Sequence, residues 1–327
     1  EMPQNPTIEI VKEFKPFLLH LQTSVGEYPQ YIADEDLGWS YTGLARYYEG
    51  QGLYATAEPY YQACLTATRT HLGDNHPDVA SSLNNLAALY ESQGRYTEAE
   101  PLYLEALDLT KQLLGDNHPL VAASLNNLAA LYYYQGRYTE AEPLLLEALE
   151  LTKQLLGDNH PSVALSLNNL AALYDSQGRY TEAEPLYLEA LDLRKRLLGD
   201  NHPDVPLSLN NLAGLYYYQG RYTEAEPLYL EALDLCKRLL GDNHPSVATS
   251  LNNLAGLYYS QGRYTEAEPL YLEAINIVRE RLGENHPYTQ TFYQNYLEML
   301  SQLPEAELRQ RFPDEVVEML KPKPPHP

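Results

Sequence analysis

The sequence predicts an all-α chain, an α-solenoid of stacked antiparallel helix pairs. Three observations predict it. First, the 327-residue chain repeats every 42 residues: Gly73, Gly115, Gly157, Gly199, Gly241 and Gly283 keep that step, and so do His76, His118, His160, His202, His244 and His286. Second, the apolar residues within each unit recur with the helical period, and nowhere do they alternate with the period of two that a half-buried strand needs. Third, a helix pair this thin cannot bury its own apolar faces, so it must stack on its neighbours.

Residues 1–40 read as an N-terminal helical cap or linker, with a helix or two within 6–27. A degenerate unit at 41–82 keeps the apolar stripe Tyr41, Leu44, Ala45, Tyr48, Ala57 and Tyr61. It has Thr42 and Gly43 where later units carry two asparagines, and terminal repeats are usually atypical. Near-copies follow at 83–124, 125–166, 167–208, 209–250 and 251–288. In the first of them Leu83, Leu86, Ala87 and Tyr90 stand at i, i+3, i+4 and i+7, one stripe of a helix. Pro77 opens that helix in its first turn, where a missing N–H is no loss, and Gly94 ends it. The second helix is expected to start at Thr97 with Glu100 three residues on. This capping-box spacing returns at Thr139/Glu142, Thr181/Glu184, Thr223/Glu226 and Thr265/Glu268, and it would place Pro101 in the first turn. Ala99, Tyr103, Ala106 and Leu107 form the second stripe, and Gly115 closes the helix. Residues 289–303 read as a C-terminal capping helix, and 304–327 as a short helix near 313–320 with a disordered Pro-rich tail.

Composition narrows the function. The net charge of −23 argues against nucleic acid, whose phosphates need clustered Lys and Arg, and against an anionic membrane surface. No apolar run reaches the length of a bilayer span. No secretory signal opens the chain, and two cysteines, Cys64 and Cys236, cannot make a disulfide framework, so a cytoplasmic setting is expected. Units two to six carry −4, −3, −3, −2 and −2 of the charge, mostly on second-helix Glu and Asp, which marks it as a solubility feature of an outer face. Thirty tyrosines against four phenylalanines and one tryptophan indicate many half-buried surfaces or a wet aromatic binding face.

No catalytic or metal constellation emerges, so no enzyme and no cofactor are expected. The repeated histidines stand one per unit, about 20 Å apart if each unit adds two helix diameters, too far to share a metal. They read as loop or helix-start hydrogen-bonding groups. Glu98, Glu100 and Glu105 recur in every unit, as scaffold does, and Arg95, Arg137, Arg179, Arg221 and Arg263 read as their local partners. Cys236 stands where the previous copy has Arg194 and reads as drift.

The pattern Leu-x-x-Leu-Ala-x-x-Tyr…Ala-x-x-x-Tyr-x-x-Ala resembles the tetratricopeptide repeat. The 42-residue form, with LNNLA, QGRY-x-EAEPLY and LG-x-NHP-x-V, is similar to the kinesin light chain type, over about residues 41–300. The resemblance implies a right-handed superhelix whose first helices line a concave wall. The stretch DEDLGWSYTGLARYYEGQGLYATAEPYYQACL also resembles the lead-in to the repeat sensor of bacterial NB-ARC-type STAND ATPases. Since no G-x-x-x-x-G-K-[ST] occurs, that resemblance places an ATPase module upstream.

Stepping 100° per residue places Ser81, Asn84, Asn85, Ala88, Glu91 and Ser92 opposite the core stripe. On the wall that the resemblance implies, the asparagine pairs make a ladder: Asn84/Asn85, Asn126/Asn127, Asn168/Asn169, Asn210/Asn211 and Asn252/Asn253, with Asn295 continuing it. An amide both donates and accepts, so such a row can bracket an extended peptide backbone. In tetratricopeptide proteins the second position is a peptide-backbone contact. The other reading is that one Asn per unit bonds a neighbouring helix. Beside the ladder the side chains vary: Glu91/Ser92, Tyr133/Tyr134, Asp175/Ser176, Tyr217/Tyr218 and Tyr259/Ser260. Those positions read either as specificity determinants or as drift between recent duplicates. Kinesin light chains resemble this ladder but use basic groove residues for acidic cargo, which are missing here apart from Arg46. The expected ligand is therefore a protein or extended peptide with apolar, aromatic, Pro-containing or basic segments, bound by a monomeric array. The leading expectation is the ligand-sensor region of a larger STAND-type ATPase. The alternative is a stand-alone, kinesin-light-chain-like adaptor or assembly scaffold.

Overall fold

The computed structural model describes residues 15–18, 20–23, 34–49 and 53–321. Every element among the described residues is helical, with no strand. The chain divides into two compact units, one ending at Leu215 and one beginning at Tyr216.

The first unit contains α1 (Asp34–Glu49), α2 (Tyr54–Leu72), α3 (Pro77–Ser92), α4 (Tyr96–Leu114), α5 (Pro119–Tyr134), α6 (Tyr138–Leu156), α7 (Pro161–Ser176), α8 (Tyr180–Leu198) and α9 (Val205–Tyr218) as far as Leu215. In it α1 packs on α2, α3 on α4, α5 on α6 and α7 on α8, and each pair packs on the next. The second unit holds the end of α9, then α10 (Tyr222–Leu240), α11 (Pro245–Ser260), α12 (Tyr264–Leu282), α13 (Pro287–Gln302), α14 (Glu305–Arg311) and α15 (Asp314–Leu320). There α10 packs on α11, α11 on α12 and α12 on α13. Each unit by itself is a solenoid of stacked helix pairs.

Six first helices follow a His-Pro dipeptide, and five of them start at its proline. His76 Nδ1 accepts a hydrogen bond from the Asp78 N–H at 3.2 Å, and His118, His160, His202, His244 and His286 do the same two residues on. In the five helices that start at the proline the histidine is thus the N-cap, the helix-start role expected of it. Burial holds the His286 imidazole below its usual pKa, which favours the neutral form a capping acceptor requires.

The first helix ends where Gly94 takes φ +72°. The Arg95 N–H then reaches back to the Tyr90 carbonyl at 2.8 Å and the Gly94 N–H to that of Glu91, a Schellman closure. A side chain at Gly94 would meet no atom within 4 Å, so the requirement for glycine is conformational.

The capping box is corrected by the structure. The second helix begins at Tyr96, one residue early, with Arg95 at the N-cap and no side-chain cap bond. Arg95 instead lays its guanidinium 4.0 Å over the Tyr90 ring. It grips Glu98 with Nε and Nη2 at 2.7 and 2.6 Å, and sends Nη1 to Glu58 of the preceding pair at 2.6 Å. Arg137, Arg179 and Arg263 repeat the staple with Glu100, Glu142 and Glu226. The glutamates that look like capping partners are thus held across the repeat boundary. Because the helix starts early, Pro101 is its sixth residue, past the first turn, where its ring denies a helical N–H to the Thr97 carbonyl. Thr97 is exposed, and solvent can serve that group.

Both apolar stripes are buried as expected, with Leu83, Ala87, Ala99 and Ala106 fully enclosed. The first helix is covered more widely than one stripe. Val79 and Leu89 are also fully enclosed, because the helix is sandwiched between its own partner and the preceding second helix. The core repeats as local clusters, such as Val163, Ala164, Leu167, Ala190 and Leu193 in the first unit and Val247, Leu251, Ile275, Val278 and Phe292 in the second.

One repeat departs from the rest. Arg194 stands where Thr68, Thr110 and Thr152 lie, and it is almost wholly buried. It donates to Ser208 Oγ at 2.7 Å and to the Asp204 carbonyl at 3.3 Å. Pro206 stands where the other copies have alanine, and α9 starts two residues late, at Val205. The buried arginine occupies that altered start, so Cys236 is the smaller residue at a site its neighbour fills with a cation.

At the C-terminus α13 and α15 are helices where the sequence predicts helix, over 289–303 and near 313–320, and α14 adds a helix between them. Residues 15–18 and 20–23 are helical. The rest of the helix expected within 6–27, and the tail after residue 321, lie outside the described residues.

Candidate binding face of the first helices

The asparagine pairs do not stand as independent amides. In the first unit Asn169 donates through Nδ2 to Asn126 Oδ1 at 3.3 Å, and Asn211 to Asn168 Oδ1 at 2.8 Å. In the second unit Asn295 donates to Asn252 Oδ1 at 3.0 Å. Asn126 also donates to the Ala122 carbonyl at 2.9 Å. The second Asn of one unit therefore braces the first Asn of the unit before it. This matches the expectation that an Asn bonds a neighbouring helix. The second position, as in Asn169, keeps its own acceptor and one N–H for another partner.

Asn84 lies at the edge of this pattern. Its Oδ1 is buried with no hydrogen bond, beside a cavity of about 50 Å³ lined by Ser81, Thr110 and Ser124. Asn85, Asn127 and Asn253, at the second position, and Asn210, at the first, are half-buried. Asn85 also lines a larger cavity, about 320 Å³, with Trp39, Gly43 and Arg46.

The variable positions form a mixed aromatic and acidic row. In the first unit Tyr133 is half-buried and shares a hydrogen bond with Ser176 Oγ at 2.7 Å. Tyr134, 58% exposed, stands edge-on to it with centroids 5.4 Å apart. In the second unit Tyr217 repeats this with Ser260 at 2.8 Å, and Tyr218 is 67% exposed. Tyr259 packs against Tyr264, centroids 6.0 Å apart.

The same register of the first unit also carries half-buried carboxylates. Glu91 accepts from the Tyr103 hydroxyl at 3.1 Å, and burial pushes its carboxyl up to about 7 against that bond. Asp175 is pushed up to about 6 by burial, and its Oδ1 is shut from solvent without a partner. The sequence reading missed Glu49, which sits one period before Glu91 and accepts from Tyr61 at 2.6 Å. The 42-residue step itself was the signal that could have found it. Arg46, the cation expected on this wall, is half-buried and spends its charge holding back the rise on Glu49.

Among the described residues, no group of three or more His, Cys, Asp and Glu side chains could hold a metal. No helix there is long and apolar enough to cross a membrane.

Comparison with known proteins accords with the geometry. The family model of the tetratricopeptide repeat matches residues 36–112, 78–151, 120–196, 176–222, 204–280 and 246–307. Among solved structures, BtubC (BKLC) from P. vanneervenii is 27% identical with a TM-score of 0.55, over 69% of this chain and 90% of that one. A kinesin light chain with nearly identical TPR-like repeats from Podosopora anserina is 29% identical with a TM-score of 0.51, over 63% of this chain and 97% of that one. The Rap protein complexed with competence and sporulation factor reaches a TM-score of 0.60 at 17% identity, over 92% and 82% of the two chains, a likeness of fold. No curated protein matches the chain.

Proposed function

Because the chain belongs to the tetratricopeptide repeat family, we propose that it works as a non-enzymatic recognition array, holding an extended segment of a partner protein against its first helices. One observation carries the reading: on a scaffold copied with few changes, the side chains beside the braced amides are among those that vary. Tyr134 and Tyr218 project into solvent where sister units have Ser92, Ser176 and Ser260. Large, stiff aromatic side chains held edge-on by a neighbour are economical anchors for a ligand, because little rotamer freedom remains to lose. The Rap neighbour holds a factor on a fold of this kind, which supports the reading by analogy of fold.

Apart from Arg46, the charged groups on this register of the wall, Glu49, Glu91 and Asp175, are acidic, so acidic segments are disfavoured, and apolar, aromatic, Pro-containing or basic ones are favoured. The finer reading, the sensor of a STAND-type ATPase, is supported by the resemblance of the segment around residues 35–65. The adaptor reading is supported by the kinesin light chain likeness of the repeats. The gene sequence upstream of Glu1 separates them: a phosphate-binding loop motif there supports the sensor.

The function is tested by changing Tyr133, Tyr134, Tyr217 and Tyr218 together to Ser and measuring affinity for a partner captured by the wild type. Loss of most of the affinity is expected. Unchanged affinity rejects the assignment of the binding face.

A further inference from the structure

Glu49, Glu91 and Asp175 occupy one register of the first helices, and two of the three are satisfied. Tyr61 donates to Glu49 at 2.6 Å and Tyr103 to Glu91 at 3.1 Å. Tyr187 is the equivalent residue of the fourth unit, buried like the others, yet no hydrogen bond joins it to Asp175. The physical reason is one methylene: the Asp carboxylate is set back from where Glu would place it. One of its oxygens, Oδ1, is consequently enclosed and unpartnered, a state that costs free energy, while the residue as a whole is half-buried.

The surroundings say which donor fits. Asp175 is the one charged residue in α7, and α5 has none. The nearby Arg179 is already taken by Glu182 and Glu142 and lies over Tyr174. Tyr133 stands one 42-residue period before Asp175 on the preceding first helix and hydrogen-bonds Ser176, the residue next to Asp175. A carboxylate left unpaired on such a face is a receptor for an ammonium or guanidinium group. A single carboxylate is too poor in oxygens for a hard divalent cation.

We propose that Asp175 seats a lysine or arginine side chain of the bound segment, one period on from Tyr133, so that the array selects segments with a basic residue at one fixed place. The inference rests on the peptide-binding reading above. Asp175 as a whole is only half-buried, which leaves its side chain open to a cation arriving along the face.

A displayed library of random dodecapeptides, selected in parallel on the full chain, on Asp175→Asn and on the double variant Tyr133→Ser, Tyr134→Ser, tests this. Asn is isosteric with Asp, and a thermal melt verifies the fold. The wild type is expected to enrich peptides with Lys or Arg at one position. Asp175→Asn should keep the apolar frame of those peptides and lose the basic preference. A selected peptide with its basic residue replaced by norleucine should bind the wild type about tenfold more weakly, the scale of a charge-assisted hydrogen bond, and bind Asp175→Asn unchanged. Peptides without a basic position, or the same basic position enriched by Asp175→Asn, overturn the inference and leave the binding face standing. If the wild type retains nothing that the double tyrosine variant does not, the peptide-binding reading falls and this inference with it.

Discussion

Glu91→Gln measures what the first-helix face costs the scaffold. Glu91 is half-buried, and enclosure lifts its carboxyl from an ordinary 4.5 to about 7, the Tyr103 bond notwithstanding. Between about pH 4.5 and 7 the folded chain therefore holds a proton that the unfolded chain has released. Stability falls as pH rises through that window and has lost the whole increment above it. At about 1.4 kcal/mol per unit, the shift is equivalent to about 3 kcal/mol. Gln keeps an acceptor for the Tyr103 hydroxyl and carries no charge, so the variant should be up to about 3 kcal/mol more stable than the wild type at pH 8 and nearly equal to it at pH 4.5. Asp175 titrates in the same direction over a lower window, which is why the difference between variant and wild type, rather than the wild-type curve alone, isolates Glu91. Urea unfolding followed by far-UV circular dichroism at the two pH values reads it. A difference of the same size at both pH values would refute the argument, since it would tie the effect to packing and not to ionisation.

Two further predictions concern the scaffold. Leu131→Ala empties a site with no exposed surface and should cost about 3–5 kcal/mol, read by the same unfolding assay. The glycines divide by backbone. Gly136→Ala places a side chain at φ +71° and should cost about 1–2 kcal/mol. Gly256→Ala, in mid-helix with only Tyr271 Oη at 3.6 Å, should gain about 0.5–1 kcal/mol, and matching signs for the pair would count against this division.

The architecture was legible because it is periodic. Leu83, Leu86, Ala87 and Tyr90 announce a helix face through spacing alone, and the His-Pro dipeptides announce its start. What escaped the sequence are contacts between residues whose separation follows from stacking. Thr97 and Glu100 have capping-box spacing, but Glu100 is drawn to Arg137, 37 residues on, and no local pattern reveals that. The ladder asparagines were visible as a type. That Asn169 turns back to Asn126, 43 residues before it, depends on how neighbouring first helices sit. Asp175 and Glu91 read alike in sequence, and a single methylene decides that one is satisfied and the other is not. Tyr103 was placed in the core by its period, correctly, but its hydroxyl also reaches the face.

The chain has a rival face. Leu104, Leu146, Leu188, Leu230 and Leu272 stand 41–46% exposed on the second helices, and a partner could bind there instead. The most direct measurement places the photo-crosslinking residue p-benzoylphenylalanine at Tyr134 in one variant and at Leu146 in another. Each is then irradiated with a peptide selected on the wild type. A crosslink from position 134 and none from 146 is the result predicted for binding along the first helices. A crosslink from 146 and none from 134 would contradict it.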